Sequence, residues 1–176
     1  AHLACKKGHI ESLKAFSENL EMISEITGLE SFGTNDSGMT LVHMACSGKD
    51  DKKAKAILEY IFTTLSPAVK ESIIESRSAG GDTPLMIATK HGLLDCVNFL
   101  MENRANIRAS DEEAGEIPLH YAVRGGFLDI TRSLLEKGRA ANRLEGDELA
   151  CVRDHSGETA LHETLASFDL GILHLL

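Results

Sequence analysis

Apolar side chains recur along this chain at the three- and four-residue spacing of a helix with one buried face. They come in short blocks: Leu94, Val97, Leu100 and Met101; then Leu128, Leu134 and Leu135; then Leu170, Leu173 and Leu176. Each block predicts a helix too short and too one-sided to stand alone. Between blocks lie Gly-bounded polar stretches and a second class of short apolar segment.

That second segment repeats. It reads Gly38-Met39-Thr40-Leu41-Val42-His43-Met44-Ala45, then Gly81-Asp82-Thr83-Pro84-Leu85-Met86-Ile87-Ala88. It returns as Gly115-Glu116-Ile117-Pro118-Leu119-His120-Tyr121-Ala122 and as Gly157-Glu158-Thr159-Ala160-Leu161-His162-Glu163-Thr164. The opening Ala1-His2-Leu3-Ala4 matches the end of a fifth copy. A Gly permits the positive φ of a tight hairpin tip. Thr-Pro starts a helix, because Pro at the first helical position has φ preset and loses no hydrogen bond. The Ala lets the helix lie close to its neighbours. A unit with one buried face hides it only by stacking on the next, which makes a continuous core.

The phrase resembles the ankyrin repeat, Gly-x-Thr-Pro-Leu-His-x-Ala. The family's second-helix opening is matched by Gly8-His9-Ile10, Gly92-Leu93-Leu94-Asp95-Cys96-Val97 and Gly126-Phe127-Leu128-Asp129-Ile130. The resemblance covers the chain apart from insertions. It implies an all-α repeat solenoid of about five helix-turn-helix units joined by β-hairpin-like loops. Approximate repeats are 1–34, 35–77, 78–110, 111–152 and 153–176, the first and last incomplete.

The spacing departs from the family. The His slots are His2, His43, Met86, His120 and His162, whereas the family period is about 33 residues. Three of the four intervals therefore carry about eight to ten extra residues. The first insertion falls near Leu20 to Thr34, where Met22, Ile23, Ile26 and Leu29 extend an outer helix. The second is split. Lys49 to Lys53 sits at the inner-to-outer turn, where the family Gly is missing, and Ser66-Pro67 starts an extra helix carrying Val69, Ile73 and Ile74. The last adds Arg143 to Val152. Phe168 replaces a turn Gly. The larger additions follow the outer helix and so gather on one side of the stack, as tolerated loop growth or as a dedicated partner surface.

Composition narrows the function. The chain has 176 residues and a formal charge of −9. That balance disfavours nucleic acid, whose phosphates require clustered Lys and Arg, and anionic membrane surfaces. No apolar stretch approaches the roughly 20 residues that span a bilayer. Cys5, Cys46, Cys96 and Cys151 lie far apart, with no metal-ligand spacing. Sparse cysteines suggest reduced thiols and an intracellular, cytoplasmic setting. The start at Ala1 and the apolar end Ile172-Leu173-His174-Leu175-Leu176 suggest a piece of a longer protein.

No constellation for catalysis, cofactor or metal is expected. By resemblance, His2, His43, His120 and His162 tie inner helices to loop backbone. Cys5 and Cys46 fill small core positions, where a thiol behaves as a small hydrophobe.

The resemblance implies a scaffold that binds a partner protein or peptide through a concave surface of hairpin tips and inner helices. The expected residues are Lys6, Lys7, Asp36, Ser37, Met39, Ser47, Asp82, Lys90, His91, Glu113, Glu116, Arg124, His155 and Glu158. Ala79, Gly80, Ala114, Ser156, Ala166 and Ser167 complete the strip. Acidic tips beside basic Lys6, Lys90 and Arg124 suggest an acidic rim along a broken basic stripe. Two other roles stay open: a regulatory or targeting segment of a larger enzyme, channel or pathogen effector, and an architectural part of a large, cytoskeletal assembly.

Overall fold

The computed structural model describes residues 6, 7, 11, 34–141, 149–167 and 170–174. The opening Ala1–Ala4 phrase, Cys5, Gly8-His9-Ile10, the first insertion up to residue 33, Phe168 and Leu176 lie outside the described residues, as does the last insertion before Leu149.

Helices alternate in pairs. Inner helices are α1 (Leu41–Cys46), α4 (Pro84–Lys90), α6 (Pro118–Arg124) and α8 (Ala160–Ser167). Outer helices are α2 (Asp51–Thr64), α5 (Leu94–Glu102), α7 (Leu128–Ala141) and α9 (Leu170–Leu173). One extra helix, α3 (Pro67–Ile74), follows α2. Each inner helix packs on its own outer partner and on the next inner helix, and outer helices pack in the same succession. Among the described residues there is no named strand, only the antiparallel bridge Arg153–Thr159. This is the all-α repeat solenoid expected.

The repeated phrase forms each inner helix for local reasons. Thr83 caps α4, its hydroxyl accepting from the Met86 N–H, with Pro84 in the first turn. Thr40 does the same for α1 through the His43 N–H. The phrase leucines Leu41, Leu85 and Leu119 are at most 1% exposed, at the centre of one continuous core. Burying each stabilises by about 1.5–3 kcal/mol. The hairpin glycine is required where the chain is tightest. Gly38 has φ +68°, and a Cβ there would lie 2.7 Å from the Ala79 backbone nitrogen.

The outer helix starts eight residues after the His slot in each of three units: Asp51 after His43, Leu94 after Met86, Leu128 after His120. The expected insertion at Lys49 to Lys53 is therefore absent. Asp50 caps α2 by accepting from the Lys53 N–H, and residues 51–53 are already helical. All the extra length of this interval comes after the start of the outer helix, in the prolonged α2 and in α3. Pro67 does start α3, but the Ser66 side chain makes no cap bond. Ile73 and Ile74 are buried, while Val69 is half-buried. α5 ends where Arg104 turns to φ +69°. The equivalent Gly138 stays helical, and α7 runs on to Ala141.

Leu128 departs from its expected place in the apolar stripe. It is 38% exposed at the start of α7, and Ile130 is buried with Leu134 and Leu135 instead.

Successive units are tied by polar bonds as well. The buried His43 ring accepts the Thr40 N–H at Nδ1, 3.1 Å away. Its proton is therefore on Nε2, which donates to the Asp82 carbonyl of the next hairpin at 3.0 Å. Met86 offers only a sulfur to Thr83 and makes no such link. His120 repeats the inner bond to Ile117, but its buried Nε2 has no partner among the described residues. Another tie is Asp51, whose carboxylate accepts from the N–H groups of Asp95 (2.7 Å) and Cys96 (3.1 Å). It thereby caps α5, whose own cap residue Leu93 has no side-chain acceptor. The Phe62 and Phe99 rings meet edge to face across the same junction, 5.2 Å apart.

Two outcomes follow in urea unfolding. His43→Met loses the inter-unit bond and costs about 1–2 kcal/mol, whereas His120→Met costs less, because its Nε2 bonds nothing. Equal costs would contradict the assignment. Burial of His43 holds its pKa below the usual 6.5, against the opposing effect of the Asp82 carbonyl. Its contribution is therefore complete above about pH 6.5 and declines as pH falls toward the lower folded value. His43→Met flattens this part of the stability profile.

Candidate functional site

The hairpin tips are built by one short polar side chain each. Asn35 accepts from the N–H groups of Ser37 and Met39. Ser78 accepts from Gly80 and Asp82, and Asp154 from Ser156 and Glu158. Asp111 accepts from Ala114 and Gly115. Such side chains mimic a backbone turn and fix the tip. Tips also bond to one another: Ala79 N–H to the Ser37 carbonyl (2.9 Å) and His155 N–H to the Ala114 carbonyl (2.8 Å). The sequence reading missed these four turn builders; their signal was an Asn, Ser or Asp three or four residues before each phrase Gly.

Most of the expected surface residues are open. Lys6, Lys7, Asp36, Ser37, Ala79, Gly80, Lys90, His91, Glu113, Arg124, His155, Ser156 and Glu158 are exposed. Met39, Ser47, Asp82 and Ala114 are half-buried. Glu116 departs: it is buried, 5% exposed, and so is not open to a partner. The side chains of Ala166 and Ser167 lie outside the described residues.

The charges do not form a separate rim and stripe. Lys90 Nζ lies 2.6 Å from Asp82 Oδ1. In the next unit Arg124 grips Glu116, one contact being 3.0 Å. Both pairs are eight residues apart and occupy the same slots, a tip residue and the last turn of the inner helix. Arg124 also reaches Glu163 of the following unit at 2.5 Å. These two carboxylates hold the guanidinium well above its ordinary pKa range. Ser47 takes the same slot in the preceding unit and carries no charge. The basic stripe is thus neutralised within the chain at Lys90 and Arg124.

Tyr121 stands at the centre of this face and was not among the expected residues. It occupies the x position of His-x-Ala, where other units carry Met44, Ile87 and Glu163. Lys90 Nζ lies 4.2 Å from its ring centroid and Arg124 Cζ 5.9 Å. Its hydroxyl donates to Asp111. Burial pushes the phenol pKa up, and the Asp111 carboxylate adds to that. Burial alone would raise the Asp111 pKa. The Tyr121 hydroxyl and backbone N–H groups outweigh it and hold the carboxyl below its usual range. One side chain thus joins the inner helix to the hairpin base.

Elsewhere the chemistry is quiet. Cys46 and Cys96 are buried core thiols with pKa values pushed up by burial, the reverse of an activated thiolate. Cys151 is exposed and free. Among the described residues, no group of His, Cys, Asp or Glu has the arrangement of a metal site, and no helix is long and apolar enough to cross a membrane. On the opposite side, a cleft of about 350 Å³ lies between α5 and α7, lined by Asn98, Met101, Glu102, Ser133, Glu136 and Lys137.

The family model of ankyrin repeats, three copies long, matches residues 1–111 and 60–145. Among solved structures, the chain is similar to the ankyrin repeat domain of Bcl-3, titled a unique member of the IkappaB protein family. The likeness has a TM-score of 0.63 and 28% identity, and covers 78% of this chain. The chain spans 54% of that structure's length. No curated protein matches.

Tyr121→Phe removes the bond to Asp111 and is expected to cost about 1–2 kcal/mol at neutral pH. Asp111 titrates below its ordinary 3.8 when folded. Its contribution is present above that value and disappears as pH falls through the lower folded pKa. The stability gap between the two proteins, measured by thermal unfolding, therefore narrows in strong acid. A gap that stays constant would contradict the pairing.

Proposed function

This chain belongs to the ankyrin repeat family, and on that premise we propose that it is a scaffold that holds a partner protein along its concave hairpin and inner-helix surface. Ankyrin repeats are generally protein–protein interaction modules, and the fold is a non-catalytic one. The observation that carries the finer reading is the ordered strip around Tyr121. Lys90, Tyr121 and Arg124 are fixed by pairing before any partner arrives, so little side-chain entropy is left to lose on binding. Tyr and Arg are also the side chains most often found to dominate binding energy. Lys90 and Arg124 are already paired, so a partner meets the Tyr121 surface with its cations in place, and an acid on the partner has to compete with Asp82, Glu116 or Glu163.

The free thiols of Cys46, Cys96 and Cys151 support a reducing, intracellular setting as part of this proposal. A second reading, an architectural or regulatory segment that works through its outer side, is favoured by one observation. The extra length lies in the outer helices α2 and α7 and in α3, and the α5–α7 cleft is likewise formed by outer helices.

Charge reversal at Arg124 is a poor test, because it would leave buried Glu116 beside another carboxylate. The better test captures proteins from a cell extract with three chains: wild type, Lys90→Gln with His91→Glu, and Glu102→Lys with Glu136→Lys. The affinity of each captured protein is then measured by calorimetry with purified components. The groove reading expects at least a roughly tenfold loss, about 1.4 kcal/mol, in the first variant and none in the second. Loss only in the second moves the function to the outer side. Partners unaffected by either variant contradict both.

A further inference from the structure

Successive junctions in this array are fastened differently. Between α1 and α4, the buried His43 ring reaches across to the Asp82 carbonyl. Arg77 also spans the hairpin bases, donating to the Gly81 and Ser110 carbonyls at 2.8 Å, and Glu75 accepts from the Asn106 N–H at 2.7 Å. Between α6 and α8 the equivalent histidine, His120, is fully buried and its Nε2 has no partner among the described residues. Bonds at the surface do cross that junction. They include the His155 contacts to the Ala114 and Glu113 carbonyls and the Arg124–Glu163 pair.

Arg124 is placed to act on this junction. Its side chain is 47% exposed and lies in the proposed binding groove, yet it touches carboxylates of two units. Glu116 is the fixed arm, with a side chain only 7% exposed. Glu163, on α8, is the more open arm, with a side chain 18% exposed.

We propose that Arg124 is an electrostatic clasp that holds α8 onto α6 through Glu163, and that groove occupancy and docking of the α8 unit are coupled through it. The coupling to a partner rests on the groove reading above; the clasp itself does not. An acidic side chain of a partner that engages Arg124 competes with Glu163 and releases α8. By reciprocity, a docked α8 weakens the binding of such an acid by the same factor. The α6–α8 junction is then salt-sensitive, since exposed pairs are screened within about a Debye length.

Hydrogen exchange read by mass spectrometry tests the clasp on the chain alone. The peptide covering Ala160–Ser167 is compared with that covering Pro84–Lys90 in the wild type, Glu163→Gln and Glu116→Gln. Glu163→Gln is expected to speed exchange in the first peptide roughly two- to fivefold and to leave the second unchanged. High salt raises the wild type to the variant's rate and leaves the variant where it is. Equal exchange in wild type and Glu163→Gln would overturn the proposal, as would an equal effect of salt on both. Glu116→Gln leaves Arg124 free to bond Glu163 alone, so exchange in Ala160–Ser167 stays the same or slows. Acceleration as large as that of Glu163→Gln would show damage to the α6 unit and would also overturn it. No partner is present in this experiment, so failure of the groove reading and failure of the clasp are seen separately.

Discussion

Everything in this molecule depends on inner helices that cannot hide their apolar face alone. α1, α4 and α6 are six or seven residues long, well below the length at which an isolated helix is stable in water. Leu41, Leu85 and Leu119 are almost wholly buried because the next unit covers them. Stacking is therefore the source of helical stability and not its consequence. It demands a constant register, and the fixed distance from His slot to outer helix supplies it. In the one interval whose extra residues are described, they prolong α2 and form α3, and leave the inner-to-outer turn unchanged.

The same register makes the polar surface. Because each hairpin folds back over its own inner helix, a residue just after the tip glycine meets one in the helix's last turn. Asp82 meets Lys90 this way, and Glu116 meets Arg124. Stacking then brings Glu163 to Arg124 and places Tyr121 between the two cations. The concave face is thus ordered by contacts within and between units. Its ion pairs are partly exposed and add little stability singly, but they fix the positions of long side chains. The buried Glu116 is different: the guanidinium beside it compensates a carboxylate that would otherwise be costly to bury.

The fold was legible because its demands fall on single residues. Gly38, Gly81, Gly115 and Gly157 all take positive φ, as a hairpin tip requires, and Thr83-Pro84 supplies the cap and the first residue of α4. The placement of the second insertion was less legible. Without a glycine at Lys49, the turn looked expanded, whereas Asp50 ends it by capping α2. Nor does Gly138 stop α7, since a glycine permits a left-handed turn without compelling it. The site was legible as a strip of positions but not as a charge pattern. Asp82 and Lys90 are neither three nor four residues apart, so no helical spacing announces their pairing. Only the fold-back of the hairpin brings them together, and a count of exposed charges read them as a rim and a stripe.

A groove whose cations are neutralised inside the chain is tested most directly by NMR of the arginine side-chain nitrogens. Arg124, held between Glu116 and Glu163, should rotate slowly about its Nε–Cζ bond. Its Nη groups should then be resolved from those of an exposed arginine such as Arg104. If Arg124 instead rotates as fast as Arg104, with averaged Nη signals, the pair is open in solution. The basic stripe would then be available to a partner after all.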